Sequence, residues 1–141
     1  AEQEFVCEEQ HDEAGEQRLS LRRRRDKYLY DVHLDLMGHY QHKNVVTVAA
    51  TTDYLHESTP LTISRRAFIE GLKSASKETS LMGRWQKLGE KPLMICDTGH
   101  NAHGIRYVSE QIAATPHEKL YCVVGFVKDK DLDHILPLLP K

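Results

Sequence analysis

Asp97-Thr98-Gly99-His100-Asn101 decides the reading of this chain. The apolar run Pro92-Leu93-Met94-Ile95-Cys96 precedes it, and Ile105, Val108 and Ile112 follow at helical spacing. The polar cluster is therefore predicted where a strand gives way to a helix. In open α/β sheets ligands collect at such junctions, because the helix N-terminus presents free N–H groups and a positive dipole end to anionic groups. A carboxylate, an imidazole and an amide within five residues suit an anionic or hydroxyl-bearing ligand. Most such turns only cap the helix that follows, so the turn alone leaves the ligand unnamed.

Other stretches narrow the choice. Asp97-Thr98-Gly99-His100-Asn101 resembles the Asp-Gly-Ala-His-Asn motif of folylpolyglutamate and dihydrofolate synthases, in the Mur ligase superfamily of ATP-dependent amide-forming enzymes. Leu81-Met82-Gly83-Arg84-Trp85-Gln86 resembles that family's linker motif, whose Gly-Arg pair opens the C-terminal domain. Leu36-Met37-Gly38-His39-Tyr40-Gln41-His42-Lys43-Asn44 resembles the Gly-x-(His/Tyr)-Gln-x-x-Asn motif that opens a helix of the central ATPase domain. Gly125-Phe126-Val127-Lys128-Asp129-Lys130-Asp131 resembles the Gly-x-x-x-Asp-Lys-Asp that ends the next strand. Four motifs in family order are more specific than any one of them. Thr98-Gly99 in place of Gly-Ala, and Trp85-Gln86 in place of an aliphatic residue and Glu, depart from the commoner pattern and leave open which folate form is used.

The resemblance implies an α/β chain in two parts: residues 1–81 as the end of a central ATPase domain, strands plus two helices, and residues 82–141 as the first part of a truncated Rossmann-like C-terminal domain. It implies a ligase that phosphorylates a carboxylate with ATP and Mg²⁺ and joins L-glutamate to dihydropteroate or a reduced folate. By matched position, Asn44 and Gln41 face the adenine, Arg84 the phosphates and Asp97 the ribose hydroxyls. Asn101 lies beside them, and His100 lies near the transferred phosphate or the glutamate. The residue chemistry agrees, since a guanidinium suits phosphate oxygens and a carboxylate suits ribose hydroxyls. Each also has a plainer reading: Asp97 and Asn101 as caps, Arg84 stacked on Trp85, His100 as a loop histidine. Two alternatives are a sister ligase for another amino acid and acid, and a non-catalytic nucleotide-binding module.

At 141 residues, 40% hydrophobic and 28% charged, the chain is ordinary for one globular domain. No apolar run approaches a bilayer span and no signal peptide opens the chain, so the expected location is cytoplasmic, with no membrane partner. A net charge of −2 argues against a nucleic-acid partner. Arg22-Arg23-Arg24-Arg25 follows the acidic residues Glu8, Glu9, Asp12, Glu13 and Glu16, which predicts opposite charges across a hairpin near Gly15 and a solvated charged face. Cys7, Cys96 and Cys122 are expected as buried free thiols. His39/His42 and His100/His103 have no further ligands at zinc spacing, so no metal site is expected in the chain.

Period-two alternation through Leu19, Leu21, Tyr28, Tyr30, Val32, Leu34 and Leu36, interrupted by the arginines, predicts a strand pair or meander. A helix is expected over Tyr40 to Leu55, with Val45, Val48, Ala49, Thr52 and Leu55 on one face. Another, capped by Ser64, is expected to run to about Lys77. Gly83 to Gly89, Leu93 to Cys96 (buried) and Leu120 to Val127 are expected strands. Asn101 to Ala114 and Asp131 to Leu139 are expected helices, the last shortened by Pro137. Strand, helix, strand, helix implies parallel neighbours. A Rossmann half of that size buries only about 60% of its unfolded surface, and the chain is expected to be cut at both ends. It contains no Gly-x-x-x-x-Gly-Lys-(Ser/Thr), so the phosphate loop and Mg²⁺ ligands are expected outside it and the isolated chain is expected to be inactive. Oligomeric state is not legible; the resemblance implies a monomeric parent.

Overall fold

Alternating apolar residues need a sheet to alternate across, and the first 34 residues build one. The structure, a computed structural model, describes residues 1–13, 15–128 and 130–140. Strands β1 (Phe5–Glu13), β2 (Glu16–Arg23) and β3 (Leu29–Leu34) form an antiparallel meander in the order β1-β2-β3. Leu21 pairs with Cys7 on one side and Tyr30 on the other. A bulge between Cys7 and Glu9 sets Glu8 outside the regular register. Its carboxylate takes both Nε and Nη2 of Arg22, at 2.6 and 2.8 Å.

Every second residue of β2 is buried: Gln17, Leu19, Leu21 and Arg23. Arg23 corrects the reading of the arginine run as a solvated face. It occupies the apolar register, 5.9 Å over the Tyr30 ring, and its guanidinium is neutralised by Asp26 at 2.6 Å and Asp53 at 3.2 Å.

Helix α1 (Gln41–Ser58) packs on this sheet through Val45, Val46 and Ala49. Val48, expected on the inner face, is 44% exposed and Val46 takes the buried place. Ser64 Oγ accepts the Ala67 N–H at 3.1 Å and caps α2 (Arg65–Lys73), which buries Phe68 and Leu72. The single helix expected to Lys77 is broken at Ser74, and α3 (Ala75–Thr79) follows. The break is explained from outside the helix. Asp35 accepts the N–H of Ser76 at 2.9 Å, the N–H of Lys77 at 3.2 Å and the Ser76 hydroxyl at 2.7 Å, and so starts a new helix.

The chain divides into two compact units, Ala1–Gln86 and Lys87–Lys141. In the second, β4 (Gln86–Glu90) pairs with β5 (Leu93–Cys96). A two-residue connection permits only an antiparallel pair. The strand expected from Gly83 thus starts at Gln86, because Gly83 and Trp85 hold positive φ, 69° and 50°, which a strand does not accommodate. Leu93 and Met94 are each 50% exposed, so β5 is not the buried strand expected. Helix α4 (Ala102–Ala114) buries Ile105 and Gln111, and α5 (Leu132–Ile135) passes into a short 3₁₀ turn, Leu136–Leu138, at Pro137. Leu120 to Val127 form no strand: the run has no regular secondary structure, Val123 is wholly exposed, and neither described sheet includes it. The parallel strand pair expected here is therefore absent among the described residues. Cys122 is exposed and Cys7 and Cys96 half-buried, all three free, so the expectation of buried thiols does not hold. No helix among the described residues is long and apolar enough to cross a membrane.

Candidate functional site

The turn from Asp97 to Asn101 lies between β5 and α4. Asp97 Oδ1 accepts the Gly99 N–H at 2.8 Å, which folds the chain back in an Asx turn. Asn101 Oδ1 accepts the Gly104 N–H at 2.8 Å and caps α4. Between them, His100 Nδ1 lies 3.0 Å from the Thr98 carbonyl oxygen. That contact holds the proton on Nδ1 and directs Nε2 away from the turn. Space at Gly99 is tight: a Cβ there would lie 3.2 Å from both Asp97 Oδ1 and Val108 Cγ2. The plainer reading as a helix cap is thus filled by Asn101, while Asp97 shapes the turn before the helix and does not cap it. Capping and ligand contact are compatible, since His100 and Asn101 stay exposed and Asp97 half-buried.

Gln41 and Asn44 lie one turn apart at the start of α1. Asn44 Nδ2 donates to Gln41 Oε1 at 2.7 Å. Gln41 is buried and Asn44 exposed, so of the two amides only Asn44 presents itself outward. Gly38, with φ 116°, makes the turn before the helix, and its carbonyl accepts the Gln41 N–H at 3.0 Å. Arg84 is half-buried in a tight turn: Gly83 N–H donates to Gln86 Oε1 at 2.9 Å, and Arg84 Nη1 donates to the Gly83 carbonyl at 3.1 Å.

The structure therefore brings Gln41 to Asn44 within the first unit and gathers Asp97, His100 and Asn101 into one turn of the second. Arg84 belongs to the first unit but to neither cluster. Among the described residues no three His, Cys, Asp or Glu side chains converge as a metal site would require. Lys130 lies in the segment after Val127, Asp131 caps α5 by accepting the His134 N–H, and Asp129 falls outside the described residues. A separate cleft of about 540 Å³ in the first unit is lined by Phe5, Arg23, Tyr30, Asp53, Arg65 and Phe68, among others, and by none of the expected site residues.

Residues 83–140 match the family described as "Mur ligase, glutamate ligase domain". They are a Mur ligase glutamate ligase domain. Along the chain, sequence relatives carry the name dihydrofolate synthase/folylpolyglutamate synthase. The Haemophilus influenzae protein is 31% identical over 119 residues, covering 68% of this chain and 25% of its own length. That of Escherichia coli is 33% identical over 85 residues, 60% of this chain and 19% of its own length. The chain thus spans a quarter or less of these relatives. Among solved structures, Escherichia coli FolC in complex with DHPP and ADP superposes with a TM-score of 0.69 at 24% identity, over 96% of this chain and 29% of that one. The folylpolyglutamate synthetase from Lactobacillus casei gives 0.62 at 22%, over 80% and 28%. The chain is thus similar to folylpolyglutamate and dihydrofolate synthases, and its fold is the mixed α/β fold of those structures.

Sequence reasoning missed Gln10 and Gln17. Gln10 Nε2 donates to the His39 carbonyl at 3.1 Å, at the turn that opens α1, and to Gln17 Oε1 at 3.3 Å. The signal was present: period-two counting from Leu19 and Leu21 puts Gln17 on the buried face.

Proposed function

We propose that the protein containing this chain is an ATP-dependent ligase that adds L-glutamate to dihydropteroate or a reduced folate, and that residues 1–81 end its central ATPase domain while 82–141 begin its C-terminal domain. ATP transfers its terminal phosphoryl group to the acceptor carboxylate, leaving ADP; the glutamate amine attacks the acyl phosphate, forming the amide and releasing phosphate. The observation that carries the reading is the Asp97 to Asn101 turn, set between a strand and a helix inside the matched glutamate ligase domain. In it Asp97 accepts from the ribose hydroxyls, and His100 offers its outward imidazole to the transferred phosphate or the glutamate. Arg84 pairs with phosphate oxygens, and Asn44 supplies an amide donor and acceptor to the adenine edge. Mg²⁺ would neutralise phosphate charge, but no described cluster fits it, so no residue of this chain is assigned to the metal. The solved FolC complex with DHPP and ADP supports a nucleotide as a ligand of this fold. A cytoplasmic location is part of the same reading.

The test uses the complete reading frame that contains this chain. Glutamate addition to dihydropteroate and to tetrahydrofolate is measured for the wild type, Asp97→Asn and Arg84→Ala. Asp97→Asn keeps the acceptor for the Gly99 N–H and removes only the charge. Each variant is expected to lower kcat/KM for ATP by about 10- to 100-fold, the loss of a hydrogen bond to a charged group. Consumption of ATP with neither acceptor by the wild type refutes the folate reading, and unchanged variants refute the nucleotide roles. The isolated chain is expected to turn over no ATP.

A further inference from the structure

Helix α1 opens without a side-chain cap: its N-cap residue, Tyr40, is already helical at φ −70° and ψ −13°. Besides the Gly38 carbonyl, which accepts the Gln41 N–H, and His42 Nδ1, which lies 2.5 Å from the His39 carbonyl, its first turn is reached by a run of side-chain amides from the meander. Asp12 Oδ1 accepts from Gln17 Nε2 at 3.2 Å, and Gln17 Oε1 accepts from Gln10 Nε2 at 3.3 Å. Gln10 Nε2 also reaches the His39 carbonyl at 3.1 Å, two residues before Gln41, whose Oε1 holds the Asn44 amide. Gln17 has no exposed surface and shares its face with Leu19 and Leu21. An amide there costs desolvation that an apolar side chain would avoid, so its value lies in the groups it orients.

We infer that Gln10 and Gln17 are positioning residues for nucleotide recognition: through the His39 carbonyl they set the first turn of α1, and so the direction in which Asn44 presents its amide to the base. The inference rests on the reading of Asn44 as the adenine contact. Gln41, buried and bonded to Asn44, belongs to the same arrangement and orients Asn44 without reaching a ligand. A hydrogen bond read by a base edge is sensitive to direction, so a small rotation of Asn44 weakens the match to adenine more than it weakens general nucleotide binding.

The complete reading frame is assayed as Gln10→Met, Gln17→Met and Asn44→Ala, with ATP and with inosine triphosphate, which lacks the exocyclic amine. Loss of one such bond predicts, for both methionine variants, a KM for ATP raised about 3- to 10-fold and an ATP preference over inosine triphosphate reduced by a similar factor. The kcat at saturating ATP should stay at the wild-type value. A purely structural role would lower the melting temperature and leave base preference unmoved. Wild-type KM and preference in Gln10→Met, with Asn44→Ala impaired, overturn this inference and spare the adenine reading. Wild-type behaviour in Asn44→Ala overturns both. Gln10 is only half-buried on an outer strand, so its variant decides the matter if Gln17→Met folds poorly.

Discussion

The two units of this chain draw on similar apolar sequence and bury it very differently. In residues 1–86, Phe5, Leu19, Leu21, Tyr30, Val32, Leu34, Val45, Val46, Ala49, Phe68 and Leu72 form one buried cluster. Among the described residues of 87–141 the buried apolar side chains are Ile105 and Ile135, while Leu88, Met94, Tyr121, Val123 and Val127 lie exposed. The difference is one of partners. The meander has a strand on each side of β2 and helices over one face, whereas a two-stranded pair is marginal by itself and leaves an apolar run such as Leu120 to Val127 with nothing to pair against. Apolar composition supplies the driving force, and only a complete layer uses it.

The sharpest test of that contrast pairs one residue from each unit. Leu21→Ala should destabilise the first unit by about 2–5 kcal/mol, as for a wholly buried leucine, while Val123→Ala should stay within about 0.5 kcal/mol. Urea unfolding with amide exchange resolved by unit reads both, and equal costs would break the comparison. Next in size is Asp35→Ala. Removing the carboxylate that starts α3 should cost about 0.5–2 kcal/mol, the range for a lost helix cap. Exchange of the Ser76 and Lys77 amides should rise while that of β2 stays fixed; no change would mean that α3 is held by other contacts. The smallest effect concerns acid. The Arg23 guanidinium beside Asp26 holds its carboxyl well below the usual carboxylate range, at about 2. The lowered value belongs to the folded state, so the stabilisation is complete above an ordinary carboxylate value of about 3.9 and is lost as pH falls toward 2. The stability of Asp26→Asn should be flatter over that interval than the wild type; parallel profiles would contradict the pairing.

How much was legible follows the same line. The meander could be read because its alternation is answered within the chain, residue for residue. Ser64 and Asn101 could be read as caps because a cap needs only the next three residues. Arg23 could not be placed, because its burial depends on Asp53, thirty residues away on α1. The break at Ser74 was hidden for the same reason, lying with Asp35 on a distant loop. Val48 was misplaced because counting from Val45 defines a stripe without saying where the sheet meets it. Leu120 to Val127 has the composition of a strand, but pairing is a property of two segments. At the candidate site the motifs marked Asn44, Arg84 and the Asp97 to Asn101 turn, while the amides behind Asn44 became visible only when β1 and the helix turn were seen together.

The meander has one more consequence, in the order of assembly. Its most distant strand partners, Phe5 with Arg23 and Gln17 with Leu34, are close along the chain. Closing such short loops forfeits little chain entropy, so the three strands can pair on the fast timescale of local hairpins, ahead of contacts that span longer loops. Helix α1 then meets a surface that already carries the Gln10 amide, and on docking it brings Asp53 to the Arg23 guanidinium. The sheet acts as a template, and the helix that carries Asn44 inherits its orientation from a structure formed before it docks.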